Sequence, residues 1–151
     1  MEHTRTPLAI IGDNTMGHAI VRGGQAGGPL GGAPVVVGEP DLVKHGRLRA
    51  LGNVTVVTSA LEAIERLAEF ERRAGRPGQV LLAVKPQMLG AVSAELAGRV
   101  GERVVISILA GMPGHRVREA LGGRCRVVRA MPNLPAKIGH GATAVCMAAG
   151  T

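Results

Sequence analysis

The hydrophobic residues of this chain fall into short unbroken runs, each closed by a glycine, a proline or a small polar residue. Leu8-Ala9-Ile10-Ile11 stops at Gly12, Val35-Val36-Val37 at Gly38-Glu39-Pro40, and a third run covers Val54 to Val57. Val80 to Val84 is broken by Pro86, Val104-Val105-Ile106 ends near Ser107, and Val127-Val128 leads into Met131-Pro132-Asn133. Apolar runs without alternation predict strands buried on both faces. Ala142 to Met147 is expected as a seventh, short strand.

Between the runs the apolar spacing turns helical. Met16 to Gly23 places Met16, Ala19 and Ile20 on one face, and Asp41 to Leu51 has helical spacing at Leu42, Leu48 and Leu51, weakened by Gly46. Ser59-x-x-Glu62 is a capping box that opens the clearest helix, with Leu61, Ile64 and Leu67 as its stripe and a stop around Gly75 to Gly78. Further helices are expected over Met88 to Val100 and Pro113 to Leu121. Gly23 to Pro34, with six glycines and two prolines, reads as a loop. Strand and helix alternate throughout, which predicts an α/β fold: a doubly wound, mostly parallel sheet in three layers (α/β/α), forming one domain over residues 1–151.

Composition narrows the function. The only aromatic residue is Phe70, so a base-stacking nucleic-acid module, an aromatic cage and a membrane-interface belt are all disfavoured. The formal charge of +7 comes from 18 basic and 11 acidic residues, of which only Lys44, Lys85 and Lys137 are lysines. The basic residues are scattered, and in Glu69 to Arg76 acids interleave with Arg72 and Arg73, which suits a solvated helix face better than a polyanion surface. Cys125 and Cys146 give neither a disulfide framework nor a metal spacing. Met1 to Pro7 carries no apolar signal run and no stretch reaches ~18 apolar residues, so a cytoplasmic protein without a membrane span is expected. The histidines His3, His18, His45, His115 and His140 show no ligand spacing, and no metal is expected. His18 alone lies within reach of the first turn's presumed anion, although a helix-surface histidine is the plainer reading.

Open parallel sheets bind ligands at the carboxyl ends of their strands. Gly12-Asp13-Asn14-Thr15-Met16-Gly17 directly follows the first strand and opens the first helix, where a dinucleotide fingerprint belongs. Gly12 permits the tight turn and Gly17 close packing of helix on strand. The middle glycine is replaced by Asn14, which is expected at positive φ, with Asp13 adding a like charge near any phosphate. A merely structural strand–helix turn is the alternative. Glu39, just past the second strand, either accepts from a ribose 2′-hydroxyl and repels a 2′-phosphate, or caps the next helix as Asp41 is well placed to do. In Val84-Lys85-Pro86-Gln87 the lysine ends a buried strand, where an unpaired ammonium is poor core filler, so it is expected to face the crevice. Ser107 to Gly111 and Arg129 to Asn133 follow strands at the same rim.

In order, Gly12…Met16-Gly17, Val84-Lys85-Pro86-Gln87, Ser107…Ala110-Gly111 and Arg129-x-Met131-Pro132-Asn133-x-Pro135…Gly139-x-Gly141 resemble the N-terminal domain of pyrroline-5-carboxylate reductase, from about Leu8 to Val145. The resemblance implies a Rossmann-like domain that binds NADP or NAD and serves hydride transfer to pyrroline-5-carboxylate, giving proline. It places the pyrophosphate over Gly12, Asn14, Thr15, Met16 and Gly17, and the adenosine ribose near Glu39 and Asp41. The nicotinamide would meet Val84, Lys85 and Leu109, and the substrate would border Met131, Pro132 and Asn133. It also implies a further helical domain, absent from these 151 residues, that builds the dimer, most of the substrate pocket and the proton donor. The chain alone is therefore expected to bind cofactor weakly with little turnover, unless a second copy or second chain completes it. A dinucleotide-binding module without catalysis and an interaction scaffold of reductase ancestry are the alternatives.

Overall fold

The computed structural model describes residues 5–147, so His3 and the first part of the polar N-terminal stretch lie outside the described residues. The elements run β1 (Leu8–Ile11), α1 (Thr15–Gln25), β2 (Val35–Gly38), α2 (Leu42–Arg49), β3 (Val54–Val57), α3 (Ala60–Ala74) and β4 (Gln79–Leu82). There follow a 3-10 turn at Pro86–Met88, α4 (Leu89–Leu96), β5 (Val104–Ser107), α5 (Gly114–Ala120), β6 (Arg126–Met131), a 3-10 segment at Leu134–Ile138 and β7 (Ala144–Met147). No helix among the described residues is long and apolar enough to cross a membrane.

The seven strands form one sheet in the order β3-β2-β1-β4-β5-β6-β7. All neighbours are parallel except β6 and β7, which pair antiparallel. This is the Rossmann-like, doubly wound arrangement. Right-handed crossovers dictate its layers: stepping outward from β1 to β3 puts α1 and α2 on one face, and stepping back through β4 to β6 puts α3, α4 and α5 on the other. Alternate residues of each strand therefore feed different cores. Ala9, Ile11, Leu82, Val105 and Val127 pack under α3, α4 and α5, while Leu8, Ile10, Val35, Val37 and Leu81 pack under α1 and α2.

Local chemistry sets the helix ends. Ser59 accepts from the Glu62 amide at 3.1 Å, as the capping box predicts, but Glu62 answers the hydroxyls of Thr58 and Ser59 rather than a backbone amide. The Asp41 cap phases α2 so that His45 and Leu48 face inward and Leu42 is 67% exposed. Two expectations need correction. The segment expected as one helix over Met88 to Val100 instead ends at Leu96, just before Gly98, whose φ of 70° takes the chain out of helix. The first helix runs past Gly23 to Gln25, so Gly24 and Gln25, expected in a loop, belong to α1; the 134–138 segment and Leu30 pack so closely there that a Cβ at Gly23 would strike the Ala136 carbonyl and one at Gly24 the Leu30 side chain.

On the α1/α2 side the 134–138 segment packs against α1, beside an apolar groove of about 410 Å³ lined by Ile20, Leu30, Leu81, Ile106, Ile108 and Ala130.

Candidate functional site

The strand order reverses between β1 and β4, and a crevice opens at the carboxyl ends of the strands there. The turn after β1 is held against the neighbouring strand ends. Gly12 donates to the Gly38 carbonyl at 2.8 Å, and the Asn14 amide donates to the Ala83 carbonyl at 3.2 Å. Gly12 sits at φ +89°, and a Cβ there would lie 2.6 Å from Val84 Cγ1 and 2.7 Å from the Ala83 carbonyl oxygen. At Gly17 a Cβ would lie 2.6 Å from the Ala83 methyl, so both glycines are required by the close approach of turn and helix to the end of β4.

Asn14 is not at positive φ. It has φ −70° and ψ 169°, and its side-chain oxygen accepts from the Gly17 amide at 2.7 Å, so it is the N-cap of α1. The physical reason is that a short acceptor at this position gains more by satisfying an orphan helix donor than by copying a glycine turn. The cap folds the side chain onto the helix. It leaves the Thr15 and Met16 amides, of which Thr15 is exposed, without a hydrogen-bond partner among the described residues. Two such donors at the positive end of an 11-residue helix suit a phosphate.

The charge at Asp13 is also resolved. Its side chain is 1% exposed and its Oδ2 accepts from Arg47 Nη2 at 2.6 Å and Nε at 3.0 Å, while Oδ1 meets His18 Nδ1 at 3.1 Å. Glu39 is equally engaged. Its two oxygens accept from the Asp13 amide at 3.0 Å and the Asp41 amide at 2.9 Å, and Lys44 Nζ stands 3.8 Å away. His45 Nε2 lies 2.6 Å from the Glu39 carbonyl oxygen, which ties α2 to the end of β2. Asp41 caps α2 through the Val43 amide at 3.0 Å. Sequence reading missed Lys44, His45 and Arg47 as members of this cluster. Their signal was weak, since apolar spacing alone does not say which polar residues of α2 face the turn.

The remaining rim residues divide. Lys85 is exposed; its carbonyl accepts from the Met88 amide at 2.9 Å, while its ammonium makes no hydrogen bond or ion pair among the described residues, and half-buried Val84 lines a cleft of about 190 Å³ with Gly12, Gly38, Pro40 and Ser59. Leu109 follows β5 at the same rim, but its side chain is 2% exposed and packs into the core under α3 to α5. Met131 is half exposed and Pro132 borders the apolar groove. Asn133 accepts from the Ala142 amide at 2.9 Å, which spends part of its amide on bracing the approach to β7.

These residues fit a dinucleotide. A glycine-backed turn, two free helix amides and a neutralised carboxylate lie in one crevice. A bound reduced nicotinamide would supply a hydride. The part these residues would play is to orient and hold the cofactor.

Comparison with known proteins places the whole arrangement. The model of a family described as NADP oxidoreductase, coenzyme F420-dependent, matches residues 7–111. Pyrroline-5-carboxylate reductase of Synechocystis sp. is 36% identical over 138 residues, covering 91% of this chain and 48% of that protein. The Pseudomonas aeruginosa reductase is 31% identical over 137 residues, covering 90% of this chain and 46% of that protein. Among solved structures, the pyrroline carboxylate reductase of Plasmodium falciparum with NADP bound superposes with a TM-score of 0.74 at 20% identity, over 98% of this chain and 50% of that one. Prephenate dehydrogenase of A. aeolicus shares the fold at a TM-score of 0.66 and 15% identity, over 87% of this chain and 43% of that one. The chain spans about half the length of the curated relatives it matches. From the strand order, the glycine-backed turn and these matches together, the chain belongs to the NADP oxidoreductase, coenzyme F420-dependent family, with pyrroline-5-carboxylate reductases among its relatives.

Proposed function

We propose that this chain is the cofactor-binding part of an NAD(P)H-dependent reductase that converts 1-pyrroline-5-carboxylate to L-proline in the cytoplasm. The observation that carries the reading is the turn at Gly12 to Gly17, where Ala83 backs both glycines and the Thr15 and Met16 amides stay free at the helix end. The similarity to pyrroline-5-carboxylate reductases supports the substrate. The pyrophosphate lies over Thr15 and Met16, the adenosine ribose beside Glu39 and Asp41, and the nicotinamide beside Val84 and Lys85. Met131, Pro132 and Asn133 border the imine.

Hydride transfer needs donor and acceptor held at near-attack distance with water excluded. One wall cannot do that, so the chain by itself binds cofactor without family-like turnover, and a helical domain or a second chain completes the pocket. A binding or scaffold role is the second reading. It is favoured by the exposed apolar residues gathered at one edge: Met131, Leu134, Ile138, Val145 and Met147.

Thermal melting of the purified chain with NADPH or NADH tests the cofactor reading. A ligand at 100 times its Kd stabilises by about 2.7 kcal/mol, which for this size of domain raises Tm by roughly 5–10 °C. If millimolar amounts of both cofactors leave Tm unchanged, the proposal is wrong. Adding a separately produced helical half of a reductase and assaying proline formation then separates the enzyme reading from the binding module.

A further inference from the structure

The amino ends of β4, β5 and β6 lie one strand length from the cofactor crevice, about 13 Å for four residues. There the fold gathers basic residues that the sequence leaves scattered. Arg72 comes from the last turn of α3 and Arg76 from the turn after it, Arg103 immediately precedes β5, and Arg124 and Arg126 lie at the start of β6. They line one open cleft of about 770 Å³ with only two acids, Glu71 and Glu102, so five arginines against two glutamates leave it a net charge of +3 of the chain's +7. Both acids are already engaged. Glu71 accepts twice from Arg103, whose Nη1 donates to the Arg99 and Val100 carbonyls, so this pair serves the fold. Glu102 meets Arg124 at 3.2 Å in an exposed pair that water screens. Arg72 and Arg126 are exposed, and their side chains make no hydrogen bond or ion pair among the described residues.

We infer that this cleft, at the opposite end of the sheet from the crevice, is a second anion site that takes a compact ligand carrying a chain of phosphoryl groups. It is independent of the dinucleotide reading. A hollow lined by one sign of charge focuses the field and concentrates a counter-ion. Every cation in it is an arginine, and the planar fork of a guanidinium matches phosphate oxygens two at a time. The four exposed arginines stand on separate segments around the hollow, so a short phosphate chain can meet several at once. An extended nucleic-acid strand would want stacking aromatics, and the chain's one aromatic, Phe70, is packed against the core. Support of a helix end explains less. Arg72 complements the carbonyl end of α3, but Arg126 opens β6 and belongs to no helix.

The test is calorimetric titration of the whole chain with sodium tripolyphosphate and with ATP, each with and without millimolar NADPH to occupy the crevice. Wild type is expected to bind both with a Kd of about 0.1 mM or tighter at low salt, more weakly as ionic strength rises. NADPH should change neither affinity by more than about twofold, since it fills the other end of the sheet. Arg72→Gln and Arg126→Gln should each weaken tripolyphosphate about tenfold, the scale of one charge-assisted contact, and together should abolish measurable binding. Arg116→Gln removes the same charge from the exposed face of α5 outside the cleft and should change the affinity less than about twofold. Melting curves should place each variant within about 1–2 °C of wild type, because neither Arg72 nor Arg126 holds a partner whose loss would unfold the chain. Equal affinity for the two ligands identifies the phosphate chain as the part recognised, and ATP bound more than about tenfold tighter adds a nucleoside contact. Either result supports the site when both cleft variants weaken it. Binding abolished by NADPH, an equal loss in Arg116→Gln, no binding of either ligand, or binding of a single-stranded oligonucleotide alone overturns the inference.

Discussion

Glu71→Gln isolates the contact that joins the end of α3 to the start of β5. Glu71 Oε1 accepts from Arg103 Nε and from the Gly78 amide, both at 2.8 Å, and Oε2 accepts from Arg103 Nη2 at 2.8 Å. The two side chains are only 17% and 19% exposed, so solvent screens the pair weakly. Glutamine retains one acceptor oxygen, but its amide group turns two donors toward Nη2 and the guanidinium loses its counter-charge. One lost charge-assisted bond costs about 1.5–3 kcal/mol, and discounting for the remaining exposure gives about 2 kcal/mol. For a domain of this size that is a fall in Tm of roughly 4–8 °C.

The pH dependence supplies the sharper check. The hydrogen bond from Arg103 is the main influence holding the Glu71 carboxyl below its ordinary range, against the desolvation that would raise it. A carboxyl whose folded pKa is depressed stabilises the fold above its unfolded pKa of about 4.3 and loses that contribution as pH falls through the folded value. Urea denaturation of wild type and variant should therefore show the full gap at pH 7, and a gap that closes below about pH 4 as wild-type Glu71 itself becomes protonated. General acid unfolding affects both proteins and cancels in the difference. A gap of the same size at pH 7 and pH 3, or no gap at pH 7, would refute the reasoning.

Three further outcomes are expected. Gly12→Ala forces an L-residue to φ +89° with its Cβ against Val84 and Ala83, so it should cost about 2–4 kcal/mol in chemical denaturation and abolish the NADPH-induced rise in Tm. Asn14→Ala removes the α1 cap at a cost of about 1 kcal/mol, whereas Asn14→Gly costs only a few tenths, and calorimetry should show NADPH bound by the glycine variant at least as tightly as by wild type. Cys125 is fully buried, and that burial pushes its thiol up, while Cys146 is exposed, so a thiol reagent at pH 8 should modify Cys146 alone until denaturant is added, as read by mass spectrometry.

Much of the fold is legible in particular residues. Leu8 to Ile11 and Val35 to Val37 are unbroken because both sheet faces are covered there, and Ser59 with Glu62 marks the start of α3 because an orphan amide needs an acceptor within three residues. Gly12 and Gly17 were recognisable because only their spacing lets a helix leave a strand so abruptly. The errors share one cause. Asn14 and Gly24 were each assigned from local pattern, and each is decided by what packs against it: the Gly17 amide and the Leu30 side chain.

The amino-acid order alone determined the strand–helix alternation, the parallel sheet and the glycine-bounded turn after β1, because burial and turn chemistry act over a few neighbouring residues. Only the tertiary structure decided how the turn's charges are settled. Asp13 and Arg47 stand 34 positions apart and Asp13 and Glu39 stand 26 apart, and right-handed crossovers bring them together by laying β2 beside β1. Electrostatics falls off with distance through space and not along the chain, so a pairing of this kind exists only once the strands are side by side.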